Sequence, residues 1–210
     1  MSGTTPGTGA TEEPSQLGTL RRLRLYIRNP RDAFSIVSRT EQRSDALLVL
    51  ALYFVVRAPV VIQRSVALGQ LDRLGAATWA GAVVAGVAGG VILGIVSLAV
   101  CCVLAHLVVN VALGAGRTFG TAARVTLLSL APQLILVVEF PSLLLDFRGQ
   151  PTFLAFLLLR LAAGVLSLRT FYWGLRTAFG LRRPSALVVT LVPAALVIGL
   201  ALATLGPGPR

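Results

Sequence analysis

The sequence predicts an all-α polytopic membrane protein, a bundle of five transmembrane helices preceded by a short N-terminal amphipathic helix lying in the interface. Three observations carry this. Of 210 residues, 55% are hydrophobic and 13% charged, with mean hydropathy +0.82, whereas an average soluble domain has roughly 25% charged residues. The apolar residues fall in runs close to the roughly 20 residues that cross a hydrocarbon core as helix. The remaining charge gathers at the ends of those runs: the formal net charge is +11, and all 19 basic residues are arginine. Arginine placed there, and not along a polar face, favours anionic headgroups over nucleic acid as the partner.

In chain order, residues 1–18, "MSGTTPGTGATEEPSQLG", read as a disordered tail with no apolar core of a signal peptide. Residues 19–43 form a cytoplasmic amphipathic segment. Leu20, Leu23 and Ile27 recur there at helical spacing, while Arg21, Arg24 and Arg28 take other faces. Asn29, Pro30 and Asp32 are a restart signal: a cap, a proline at the first helical position and an acid in the first turn. Phe34, Ile36 and Val37 give this second short helix its apolar side.

Residues 44–205 form the five-span domain, followed by a C-terminal tail over 206–210. The spans fall near 45–66, 78–113, 122–145, 153–176 and 185–205. The second, at 36 residues, would reach about 54 Å as one helix. It must tilt, bend or project, and "AGVAGGVILG" is the place expected to bend. Dividing it into two crossings leaves no residues for a turn. Pro132, Pro141 and Pro193 mark kinks in spans three and five.

Orientation follows the arginines. On one side lie Arg21, Arg22, Arg24, Arg28, Arg31, Arg39 and Arg43, then Arg117 and Arg124, then Arg176, Arg182 and Arg183. The other side has Arg64, Arg73, Arg148 and Arg210. The N-terminus is therefore expected in the cytoplasm and the C-terminus across the cell membrane.

Three ionisable groups fall inside spans at comparable depth: Arg57, Glu139 and Arg160. Each costs about 2.5–3.5 kcal/mol in hydrocarbon unless paired. Glu139 is the expected partner of both arginines, which leaves a surplus positive charge able to take an anion such as a lipid phosphate; an ion pair that only fixes helix register is the plainer reading. Arg169, Trp173 and Arg176 share another face of span four and read as an interfacial anchor. Ala82, Gly86, Gly90 and Gly94 repeat every four residues, a flat stripe for close packing of a helix from this chain or from a second copy. His106 and Asn110 are placed for a polar contact between helices.

Cys101 and Cys102 are adjacent in an apolar run and have no metal-ligand spacing. No zinc-protease, P-loop or dinucleotide motif occurs. No cofactor and no catalytic activity are expected.

"RNPRDAF" (28–34), "GRTFGTAARVTLLSLAP" (116–132) and "YWGLRTAFGLRRPSALVVTLVP" (172–193) together resemble the landmarks of the Yip1 domain family, over roughly residues 20–205. The resemblance implies five helices and a cytoplasmic N-terminus. In eukaryotic members it also implies association with prenylated Rab GTPases. Their Asp-Leu-Tyr-Gly-Pro element has no counterpart here, so the resemblance is to a divergent, prokaryote-type member and the Rab role is not carried over. The expected function is a non-enzymatic scaffold or organiser that binds membrane lipids, a membrane-protein partner or a second copy of itself. The alternative is a small transporter or lipid-handling protein built on Arg57, Glu139 and Arg160.

Overall fold

Asn29 and Pro30 divide the basic N-terminal segment into α1 (Thr19–Arg28) and α2 (Pro30–Ile36), with proline at the first position of α2 and Asp32 in its first turn. The computed structural model describes residues 18–67, 76–139, 150–191 and 195, and every regular element among them is helical. The expected tail over 1–17, the connection over 68–75, residues 140–149 and most of the expected fifth span lie outside the described residues.

Helix α3 (Arg39–Ala67) begins six residues before the expected span. The reason is local. Ser38-Arg39-Thr40-Glu41 is a capping box: the Ser38 amide and hydroxyl donate to Glu41 Oε2 at 3.2 and 2.8 Å, and the Glu41 amide donates back to Ser38 Oγ at 3.3 Å. Gln42, one residue further, is buried and donates to the carbonyls of Val37 (2.8 Å) and Phe34 (3.3 Å), satisfying the end of α2.

Helix α4 (Ala76–Leu107) is a single helix whose α hydrogen bonding runs unbroken through the glycine-rich stretch where a bend was expected. The departure comes later, as a π-helical turn over Val108–Ala112. Helix α5 (Phe119–Leu128) gives way to a 3₁₀ helix over Ala131–Glu139. Pro132 sits at that change, where its missing N–H cannot donate to Leu128. Helix α6 (Gln150–Phe179) ends at Gly180, whose φ of +70° turns the chain toward α7 (183–191).

Three helical stretches are long and apolar enough to cross a membrane: Val84–Val111, Phe119–Val138 and Ala155–Phe179. The first falls within the expected span two; the second begins three residues before the expected span three, and the third runs three residues beyond the expected span four. The expected first span falls on α3, and the start of the expected fifth on α7.

The main core lies at one end of the bundle. Leu23 and Tyr26 of α1, Phe34 of α2, Val49 of α3, Val125 and Leu128 of α5, Leu175 and Phe179 of α6 and Ala186 of α7 are buried together. Helix α1 therefore spends its apolar side on the bundle itself. Its buried face is Arg22, Leu23 and Tyr26, while Leu20 is 82% exposed, so the face differs from the Leu20, Leu23, Ile27 stripe. A smaller core joins Val56 of α3, Leu136 of the 3₁₀ helix and Ala163 of α6. Elsewhere Val84, Ile92, Leu93, Leu158 and Leu161 point outward, an apolar exterior suited to contact with hydrocarbon.

Candidate functional site

The arginine-rich end of the bundle contains two different arrangements of charge, one closed and one open. The closed one begins with Arg22, 9% exposed, whose guanidinium forms a bidentate pair with Asp45, 1% exposed: Nε to Oδ2 is 2.9 Å and Nη2 to Oδ1 is 2.8 Å. Nη1 reaches Glu41 Oε1 at 3.4 Å. Hydrogen bonding to Asp45 raises the Arg22 guanidinium above its ordinary value, outweighing the opposing effect of burial. Glu41 is held below the usual carboxylate range, first by the hydrogen bonds from Ser38 and then by the charge of Arg22.

Tyr26 lies against this pair, and burial pushes its phenol well above its ordinary value, with the charge of Asp45 adding to the effect. Its hydroxyl has no hydrogen-bond partner. Arg124 of α5 is buried, with Nη1 donating to the Arg39 carbonyl at 3.3 Å and Nη2 to Thr121 Oγ1 at 3.4 Å. These contacts tie α1, α3 and α5 together. Charges that the sequence shows only as a solvated basic segment are thus partly structural. The capping box and Asp45 at the head of an apolar run were the signals available; the pairing across 23 residues was not.

The open arrangement lies around Trp173. Arg31 of α2 sits 5.7 Å from its ring centroid and Arg176 of α6 sits 5.2 Å from it, with Arg176 also 6.0 Å from Tyr172. Arg31, Trp173, Arg176, Thr177 and Arg183 line a cavity of about 270 Å³. None of its three arginines pairs with a carboxylate among the described residues. Arg176 Nε is buried and has no acceptor. Thr177 commits its hydroxyl proton to the Trp173 carbonyl at 2.7 Å.

Of the expected anchor residues, Trp173 and Arg176 are in contact, while Arg169 donates from Nη2 to the Arg28 carbonyl at the end of α1, at 3.3 Å. Of the other arginines of the cavity, Arg31 comes from α2, far away in sequence, and Arg183 from the head of α7, beyond the turn at Gly180. No spacing within span four could reveal them.

The trio expected within the membrane is only partly described. Arg57 lies over the Tyr53 ring at 5.4 Å and is exposed. Arg160 is exposed on α6 and engages other groups. The side chain of Glu139 lies outside the described residues. Val56, Leu136 and Ala163, which lie one to three residues from the members of the trio, share the smaller core.

Of the small-residue stripe, Gly94 meets α3: a methyl group added there would stand 2.6 Å from Phe54 Cε1. Gly86 and Gly90 are half-buried, and the side chain of Ala82 lies outside the described residues. His106 and Asn110 contact one another within one helical turn, at 2.7 Å. Asn110 clamps the following loop by bonding both the carbonyl and the amide of Arg117 at 2.7 Å. Their polar contact is thus made to a loop and not between helices. No group of three or more metal-ligating side chains occurs among the described residues.

The sequence model of the Yip1 domain family matches residues 24–205. Comparison with curated proteins and with solved structures returns no match.

Proposed function

This chain belongs to the Yip1 domain family, and on that premise we propose that it is a non-enzymatic scaffold of the cell membrane that recruits anionic lipid or a protein partner to its arginine-rich face. The chain crosses the bilayer five times, with the N-terminus in the cytoplasm and the C-terminus on the opposite side.

One observation carries the reading. Three segments far apart in sequence meet at one end of the bundle: the N-terminal segment, the connection into α5 and the connection into α7. Arg124 bonds the Arg39 carbonyl, and Arg31 shares a cavity with Arg176 and Arg183. Five crossings with a cytoplasmic N-terminus require those three segments to share a side, and arginine there follows the charge bias of cytoplasmic loops. An arginine-rich end at headgroup level draws anionic lipid.

The test is reconstitution in vesicles of neutral lipid, with and without an anionic lipid fraction. The expected result is enrichment of anionic lipid around the purified protein and no protein-dependent flux of ions or small solutes. Saturable flux abolished by Arg57→Gln or Glu139→Gln would overturn the scaffold in favour of a transporter.

A further inference from the structure

We propose that the cavity between α2, α6 and α7 is a binding site for a phosphomonoester, held by Arg31, Arg176 and Arg183 against the indole of Trp173. The proposal deepens the scaffold reading and rests on it for the placement of the cavity at a membrane surface.

Three guanidinium groups converge on one space, drawn from α2, α6 and the first residue of α7, with no carboxylate among the lining residues. Like charges held together in this way repel, and an anion between them removes the repulsion. Two of the guanidiniums stand beside the same indole ring. This stacking limits their motion and presents their N–H edges in a fixed arrangement.

Guanidinium groups only donate, and Arg176 Nε is a buried N–H lacking an acceptor. Thr177 has already given its proton to the Trp173 carbonyl, so the charged donors of the cavity are arginine alone. A phosphomonoester brings three terminal oxygens and between one and two negative charges. It can face three arginines at once. A phosphodiester offers two terminal oxygens and one charge, and a carboxylate the same, so both leave an arginine unanswered.

A cavity of about 270 Å³ is smaller than the roughly 300–1,000 Å³ of a site for a drug-sized molecule. It suits a headgroup and not a whole metabolite. Trp173 and Arg176 occupy the last two turns of the membrane-length stretch Ala155–Phe179. In a spanning helix those turns lie at the level of lipid phosphates, where tryptophan is at home. The same chemistry would also accept free phosphate.

The experiment uses the full chain in detergent with Trp79→Phe, so that Trp173 is the remaining tryptophan and its fluorescence reports occupancy. Dioctanoyl phosphatidic acid, dioctanoyl phosphatidylglycerol and inorganic phosphate are titrated separately. Phosphatidic acid is expected to change the fluorescence saturably, and phosphatidylglycerol of the same chain length to bind at least several-fold more weakly. Arg31→Gln and Arg183→Gln, both at exposed positions, are each expected to weaken phosphatidic acid by about tenfold or more. Arg31→Lys should recover only part of that loss, since an ammonium cannot make the forked contact.

Displacement of the lipid by millimolar inorganic phosphate assigns the site to free phosphate. Binding that phosphate does not displace assigns it to the lipid. Either supports the pocket. Unchanged affinity in Arg31→Gln and Arg183→Gln, with unfolding midpoints as in the parent, overturns it. Should those variants still enrich anionic lipid on reconstitution, the scaffold stands without the pocket; a parent that enriches none removes the lipid-recruiting scaffold on which the pocket rests.

Discussion

Arg22 on α1 and Asp45 on α3 form a buried, two-pronged ion pair, with contacts of 2.9 and 2.8 Å. It fixes the first short helix to the first long one. Removing one partner of a buried pair leaves the other charge stranded, which costs about 3–5 kcal/mol. Asp45→Asn should therefore lower the thermal unfolding midpoint in detergent by several degrees. The double replacement Arg22→Met with Asp45→Leu should recover much of that loss, because it removes both buried charges while Glu41 keeps its hydrogen bonds from Ser38. A midpoint unchanged by Asp45→Asn would show that the pair contributes nothing to stability.

Gly174 marks a close crossing of α6 with α2 and α5. A methyl group there would stand 2.6 Å from Val125 Cγ1 and 2.9 Å from Phe34 Cζ. Gly174→Ala should cost about 1–3 kcal/mol by overpacking. Val125→Ala, which removes the nearer carbon, should return part of the loss when combined with it. The coupling between the two substitutions, read from a double-mutant cycle of unfolding midpoints, checks the contact directly.

The capping box gives a dependence on acid. Glu41 is held below its ordinary value of 4.5, chiefly by Ser38. A group depressed in the folded state contributes its stabilisation above the unfolded value and loses it as pH falls through the folded one. Amide exchange at the start of α3 should therefore accelerate below about pH 4.5, beyond the intrinsic pH effect. Ser38→Ala should cost about 1 kcal/mol and weaken that acid dependence, leaving the part due to the backbone amide of residue 38 and to Arg22. Exchange that tracks the intrinsic rate across this range would count against the cap.

The apolar runs were legible because a helix that meets lipid advertises itself in local composition. The positions of α4, α5 and α6 follow from them, and the division of the N-terminal segment follows from the cap, proline and acid at Asn29, Pro30 and Asp32. The start of α3 was legible too, in Ser38 and Glu41, yet it lies ahead of the apolar residues and escapes a reading based on hydropathy. What periodicity could not supply was pairing. Arg22 looks like its neighbours Arg21 and Arg24 until Asp45 is folded against it. Arg31, Arg176 and Arg183 become one site only when α2, α6 and α7 meet. Chain-distant contacts of this kind are set by the packing of whole helices, and the glycines that allow it, Gly94 and Gly174, show their purpose only beside Phe54, Phe34 and Val125.

The central claim is that the N-terminal segment and the connections into α5 and α7 share the cytoplasmic side of the membrane. Cysteine labelling with a membrane-impermeant maleimide tests it most directly, in a background of Cys101→Ala and Cys102→Ala. Ser35→Cys, Arg117→Cys and Arg182→Cys should react only from the cytoplasmic side, and Gly69→Cys, in the connection after the first span, only from the other. Reaction of position 117 or 182 from the side opposite position 35 would contradict the five-crossing arrangement and the shared arginine face.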